Sequence, residues 1–132
     1  MARVLVVDDE PDIAMILREI LEWDGYEVTV ASNGVDALSR LESGVIPDLV
    51  IADLKMPRMD GKELIGEMRG SPRTARIPVI LVTAAVPQAD DFPPKDAYQG
   101  FVAKPFELSE ILAEVSRVLG VRTSFQPAQE SQ

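Results

Sequence analysis

The sequence predicts an α/β domain in which a parallel β-sheet lies between helices. Short apolar segments rich in β-branched residues alternate with segments in which apolar residues recur at helical spacing. That alternation is typical of strands joined by right-handed crossover helices. The 132 residues suit one domain of ordinary size with a sizeable core.

The first half of the chain contains three predicted strands and two predicted helices. Residues 4–7 are wholly apolar, as expected of a strand that is covered on both faces. Pro11 is a favourable first residue for the following helix, which we expect to end before Gly25. The next predicted elements are a strand over 26–30, a helix from Asn33 to about Gly44, and a strand over 49–52.

The second half begins with a helix that has a clear start signal. Asp60 and Glu63 have the spacing of a capping box, which predicts a helix over residues 61–69. Two further strands and a last helix complete the alternation. They are predicted over 78–82, over 101–103, and from about 107 to 119.

The residues between the fourth and fifth strands do not fit the alternation. Pro87, Pro93 and Pro94 lie where the fourth helix is due, and proline inside a helix costs about 3 kcal/mol. We therefore expect a fourth helix that is short or disrupted, confined to about 95–99. Residues 121–132 are polar without periodicity, so we assign the domain to residues 1–120 and a polar tail to the rest.

Composition excludes several classes of function. The 13 Lys+Arg and 22 Asp+Glu residues give a net charge of −9, which disfavours direct nucleic-acid binding. The chain has no cysteine and no histidine, so a thiolate or imidazole catalyst is absent and any metal must be held by oxygen. The N-terminal apolar run is too short for a signal peptide or a membrane span, so we expect a cytoplasmic protein without membrane contact.

Polar residues follow four of the predicted strands. These residues are Asp8, Asp9, Asp53, Thr83 and Lys104. Each by itself is more often a turn or cap residue than part of a site. Because ligands bind outside the carboxyl ends of strands in an open parallel sheet, all five are expected at one rim.

Three carboxylates at one rim need a compensating cation. At 4 Å, each pair would repel by about 4 kcal/mol at an effective dielectric constant of 20. Oxygen ligands in small number favour Mg²⁺, with Mn²⁺ as an alternative. Together with the ammonium of Lys104 and the hydroxyl of Thr83, this arrangement predicts phosphoryl transfer onto a carboxylate.

The sequence resembles the receiver domain of two-component response regulators over about residues 2–119. The matching segments are Val-Leu-Val-Val-Asp-Asp-Glu (4–10), Asp-Leu-Lys-Met-Pro-Arg-Met-Asp-Gly (53–61), Thr-Ala (83–84) and Lys-Pro-Phe (104–106). The resemblance implies a doubly wound, flavodoxin-like, five-stranded parallel sheet in the order 2-1-3-4-5, with helices on both faces.

The resemblance also implies a role for each acidic residue. Asp53 would accept a phosphoryl group from a phosphohistidine of a sensor histidine kinase or a histidine phosphotransfer protein. Asp8, Asp9, Asp53 and the backbone carbonyl of Lys55 would hold Mg²⁺. The protein would then be a phosphoacceptor and not an enzyme, and would at most catalyse its own phosphorylation and dephosphorylation.

Further residues would respond to the phosphoryl group. Lys104 would pair with it, across a Lys104–Pro105 peptide that is usually cis in the family. Thr83 would turn toward it, and Phe101 would follow inward as the aromatic switch. The resemblance does not name the downstream protein target, and it leaves a homodimer open.

Other functions compatible with the same residues are a receiver-like interaction module that ignores phosphate, an aspartate-nucleophile phosphatase of the haloacid dehalogenase type, and a flavodoxin. In the phosphatase the nucleophile follows the first strand and the acidic pair comes late, whereas here the order is reversed. Interaction modules of this fold usually lose the central Asp or the Lys, and this chain has both. No Ser/Thr-rich loop follows the first strand to hold a flavin phosphate.

Overall fold

A computed structural model describes residues 2–84 and 92–120 of the chain. Five strands form one parallel sheet in the order β2-β1-β3-β4-β5, which confirms the predicted topology. The strands are β1 (Arg3–Val7), β2 (Glu27–Ala31), β3 (Leu49–Ala52), β4 (Val79–Thr83) and β5 (Gly100–Ala103). The helices are α1 (Pro11–Trp23), α2 (Gly34–Ser43), α3 (Gly61–Arg69) and α4 (Leu108–Leu119).

The sheet has a separate core on each face. Alternate side chains of β1 point to opposite faces, so Val4 and Val6 join one core and Leu5 and Val7 join the other. Helices α1 and α4 cover the first face, and α2 and α3 cover the second. Among the described helices, none has the length and apolar character needed to cross a membrane.

The helix boundaries agree with the predicted start and stop signals. Asn33 caps α2, because its side chain accepts a hydrogen bond of 2.8 Å from the N–H of Asp36. Asp60 and Glu63 form the predicted capping box at the start of α3. The last helix ends before Gly120, which has a left-handed backbone with φ of 72°.

The connection from β4 to β5 is only partly described. Its described part contains a three-residue 3₁₀ helix, Lys95–Ala97, directly after Pro93 and Pro94. This element is shorter than the helix expected over about 95–99. Pro87 and the tail 121–132 lie outside the described residues, so the predictions for them stay predictions.

Arg69 connects backbone segments that are distant in the sequence. Its guanidinium donates to the carbonyls of Ala75, Ile77 and Ala97 at 2.8–3.1 Å. It therefore joins the end of α3 to the segments that precede β4 and β5. Arg73 acts similarly at the end of α2, where it donates to the carbonyls of two residues, Leu41 and Gly44.

Strand β5 is an edge strand whose outer backbone is bound by side chains of α4. Glu114 accepts a hydrogen bond of 3.0 Å from the N–H of Phe101, and Arg117 donates to the carbonyl of Gln99 at 2.7 Å. A Cβ at Gly100 would lie 2.7 Å from a carboxylate oxygen of Glu114, so glycine makes room for this contact. Side chains of α4 thereby bind backbone groups at this edge that a further strand would otherwise bind.

The loop after β3 ends at Gly61, where the chain passes too close to the backbone of Asp53 to admit a side chain. The N–H of Gly61 donates to the carbonyl of Leu54 at 2.8 Å. A Cβ at Gly61 would lie 2.4 Å from the carbonyl oxygen of Asp53. The loop that follows Asp53 therefore depends on glycine at its junction with α3.

Gly61→Ala is expected to destabilise the domain by about 1–3 kcal/mol, because the backbone at Asp53 must shift to admit the methyl group. Gly66→Ala is the matched control within α3, since nothing lies within 4 Å of its added Cβ. The control should gain about 0.5–1 kcal/mol, as expected of alanine in a helix interior. Chemical denaturation measures both, and equal effects of the two substitutions would contradict the close approach.

Glu114→Gln is expected to lower the free energy of unfolding at neutral pH by about 1 kcal/mol. The hydrogen bond from Arg117 lowers the pKa of Glu114 below its ordinary value of 4.5; burial opposes this effect, and the N–H of Phe101 reinforces it. A depressed pKa stabilises the fold above 4.5, so the difference from wild type should close as the pH falls below that value.

Denaturation series at several pH values measure this difference. Glu67→Gln, an exposed carboxylate on α3, is the matched charge control and should show no comparable gap. A gap in Glu114→Gln that stayed constant well below pH 4.5 would show that the charge of Glu114 is not what stabilises the edge.

Candidate phosphoacceptor site

The carboxyl ends of four strands bring the polar residues predicted for the site to one rim. Hydrogen bonds of 3.0–3.1 Å between neighbouring strands continue one residue past the strand ends. They join the N–H of Asp8 to Ala31, that of Asp53 to Val7, and that of Lys104 to Thr83. Asp8, Asp53 and Lys104 are therefore each positioned by the sheet itself.

The ammonium group of Lys104 lies among three carboxylates. Its Nζ is 3.0 Å from Oδ2 of Asp8, 2.9 Å from Oδ2 of Asp53 and 2.8 Å from Oε1 of Glu10. A lysine ammonium has three N–H donors, so these contacts can use all of them. The predicted proximity of Lys104 to Asp53 is thus observed, with Glu10 as an additional member.

The two aspartates are buried and held by the backbone. Asp8 is 3% exposed and Asp53 is 7% exposed. The second oxygen of Asp8 accepts from the N–H of Glu10 at 2.9 Å, and that of Asp53 accepts from the N–H of Leu54 at 2.6 Å. Both carboxylates therefore have a fixed orientation, with Oδ2 directed at Lys104.

Burial and the neighbouring charges shift the pKa values of Asp8 and Lys104 in opposite directions. Burial raises the pKa of Asp8, although hydrogen bonds from the N–H of Glu10 and from Lys104 partly oppose it. Burial by itself would lower the pKa of Lys104, but its hydrogen bonds to Glu10, Asp53 and Asp8 raise that pKa well above the ordinary value. Lys104 therefore stays charged at neutral pH.

The carboxylates fit a small divalent cation. One oxygen each from Asp8, Glu10 and Asp53 can be chosen so that all three lie within 4.8 Å of one another. Oxygen-only donors of this kind suit Mg²⁺. Asp9 is exposed and is not a member of this group, and Lys55 is exposed two residues after Asp53. Their assignments as metal ligands stay predictions.

The two residues predicted to switch lie on the neighbouring strands. Thr83 is the last residue of β4, is 1% exposed and pairs with Ala103 in the sheet. Phe101 lies on β5, half-buried, with its ring centroid 6.0 Å from that of Phe92. The Lys104–Pro105 peptide is cis, as the family resemblance implies.

Three contributors to the site region were missed in the sequence. Glu10 was included in the matching segment but given no role, and its position before Pro11 was the available signal. Phe92 was assigned to a connecting loop, yet it is buried against Phe101. Glu114 lies half-buried on α4, and its contact with β5 depends on pairing that the sequence does not specify.

The sequence matches a known family and several known proteins. Residues 4–116 match the family described as response regulator receiver domain. An uncharacterised 14.6 kDa protein from Leptolyngbya boryana is 39% identical over 86% of this chain and 87% of its own length. Response regulator MprA from Mycobacterium tuberculosis is 37% identical over 98% of this chain, which spans 55% of MprA.

Solved structures agree with the sequence matches. Chemotaxis protein CheY4 from Vibrio cholerae is 31% identical, with a TM-score of 0.82 over 90% of this chain and 99% of that one. Response regulator TrrA from Thermotoga maritima, solved in complex with Mg²⁺-BeF, is 40% identical, with a TM-score of 0.78 over 90% of this chain and all of that one. The magnesium in that complex agrees with the oxygen donors found here. Since the match covers most of the residues and the strand order is shared, this chain belongs to the response regulator receiver domain family.

Proposed function

We propose that this protein is a phosphoacceptor of a two-component phosphorelay, in which Asp53 receives a phosphoryl group from a partner's phosphohistidine. The observation that carries the proposal is the contact of 2.9 Å between Oδ2 of Asp53 and the ammonium of Lys104 at a buried rim. The chain itself has no histidine, so the donor imidazole comes from a histidine kinase or a phosphotransfer protein.

The chemistry needs a nucleophile and compensation of charge. Oδ2 of Asp53 forms the bond to phosphorus while the P–N bond to imidazole breaks, and the ring, already protonated on its other nitrogen, leaves as neutral imidazole. The ammonium of Lys104 already contacts Asp53, so it can donate to an oxygen of the phosphoryl group that arrives there, where charge develops. Thr83, buried at the end of β4, offers a hydroxyl from the neighbouring strand.

Magnesium completes the proposed site. Asp8, Asp9, Asp53 and the backbone carbonyl of Lys55 would hold the ion, with Mn²⁺ as a substitute. The bound cation would neutralise charge on the phosphoryl oxygens and orient them for in-line transfer. The family resemblance is what assigns Asp9 as a ligand, whereas the acidic group that the structure brings together contains Glu10 in its place.

The proposed output is a change at β4 and β5, not turnover of a separate substrate. Movement of Thr83 toward the phosphoryl group would vacate space that the ring of Phe101 can enter. Phe101 is tied to α4 through Glu114, so the change would reach that helix. We place this exchange in the cytoplasm and expect a protein target, since a net charge of −9 opposes contact with nucleic acid.

Asp53→Asn is expected to abolish phosphorylation by acetyl phosphate in the presence of Mg²⁺, because the amide is not a nucleophile. Intact-mass spectrometry should show wild type gaining one phosphoryl group. Asp12→Asn, which changes an exposed carboxylate in the first turn of α1, is the matched control and should still be labelled. Full labelling of Asp53→Asn would refute the assignment, and an unlabelled wild type would favour an interaction module that ignores phosphate.

Asp9→Asn is expected to weaken Mg²⁺ binding at least about tenfold, as loss of a charged ligand should. Glu10→Gln should weaken it by less than about threefold, through loss of long-range attraction alone. Isothermal titration calorimetry measures both. The opposite ranking would show that Glu10, and not Asp9, holds the ion.

A further inference from the structure

Glu10 differs from the other two carboxylates that contact Lys104. Its side chain is 59% exposed, whereas those of Asp8 and Asp53 are 1% and 9% exposed. Oε1 of Glu10 lies 2.8 Å from Nζ of Lys104, which is itself 11% exposed. Glu10 therefore approaches the ammonium from the solvent side. We call this exposed side of the three carboxylates the entrance, because a donor must reach buried Asp53 from solvent.

The backbone holds Glu10 in this position. Glu10 precedes α1 as its N-cap residue, yet its side chain makes no capping hydrogen bond. Pro11 restricts the preceding residue to extended conformations, and Glu10 has φ of −92° and ψ of 108°. Its N–H donates to Asp8 at 2.9 Å. The side chain is thus directed to Lys104 and not to the helix.

An incoming phosphoryl oxygen must compete for Lys104. Because all three ammonium donors have carboxylate partners, one partner must give way. Asp8 and Asp53 each have a second oxygen bound to the backbone, and both are buried. The described side-chain contact of Glu10 is with Lys104 alone, so Glu10 is the partner that is most readily exchanged.

We infer that Glu10 selects phosphodonors by charge. It is a positioning residue for Lys104, and its negative charge at the entrance disfavours donors with a larger negative charge. The inference rests on the proposed function, since it concerns transfer to Asp53. It predicts that the site discriminates between two small donors that deliver the same group, dianionic acetyl phosphate and monoanionic phosphoramidate.

The same bond forms with either donor. Oδ2 of Asp53 bonds to phosphorus while the P–O bond to acetate or the P–N bond of phosphoramidate breaks. Acetate leaves as an anion, and the nitrogen of phosphoramidate, already protonated, leaves as ammonia. The difference between the donors before transfer is therefore the charge that must pass Glu10.

Rates of Asp53 phosphorylation by each donor, followed by intact mass with Mg²⁺ at saturation, test the inference. Glu10→Gln keeps an oxygen that can accept from Lys104 but removes the charge. It should raise the acetyl phosphate rate about three- to tenfold more than the phosphoramidate rate. The added preference should shrink as salt is raised, because charges at an exposed entrance are screened.

Glu19→Gln is the matched control, since Glu19 is an exposed carboxylate two turns along α1 from the rim. It makes the same change in net charge and should leave the ratio of the two rates unchanged. A ratio that Glu10→Gln does not alter, or that Glu19→Gln alters equally, would overturn the inference while leaving phosphorylation of Asp53 intact. If wild type accepts phosphate from neither donor, the proposed function fails, and the inference fails with it.

Discussion

The shared ammonium of Lys104 is the interaction on which the rim of this domain depends. It joins residues that are 96 and 51 positions away in the sequence, Asp8 and Asp53, and both are buried. A buried carboxylate without a partner is costly, so the two aspartates and the lysine must arrive together. The parallel register makes this possible, because β1, β3 and β5 end at the same edge.

The remainder of the fold keeps that edge in register. Gly61 admits the close return of the chain after Asp53, and its N–H donates to the carbonyl of Leu54 where α3 begins. On the outer side of β5, Glu114 binds the backbone of Phe101 two residues before the strand ends at Ala103. The residues around the rim are therefore connected to the start of α3 and to α4 by hydrogen bonds.

Strong local signals in the sequence were sufficient to predict the helices and strands, whereas the contacts of long side chains could not be predicted from it. Periodicity, proline and glycine placement and the capping box at Asp60 located the helices and strands to within a residue or two, and strand ends identified Asp8, Asp53 and Lys104. The role of Arg69 was not predicted, because its guanidinium binds carbonyls that only folding brings near. Glu10 was missed because its direction depends on the backbone between Asp8 and Pro11.

The single positive charge of Lys104 does not neutralise the carboxylates at the rim. Three carboxylates and one ammonium leave two negative charges among the four groups. A divalent cation would bring this set to neutrality, which is the physical reason that the site should attract one despite the charge already supplied by Lys104. Adding a phosphoryl group restores the excess negative charge. Release of exposed Glu10 from Lys104 is then the adjustment that disturbs least, because water can solvate that carboxylate while Asp8 and Asp53 stay buried.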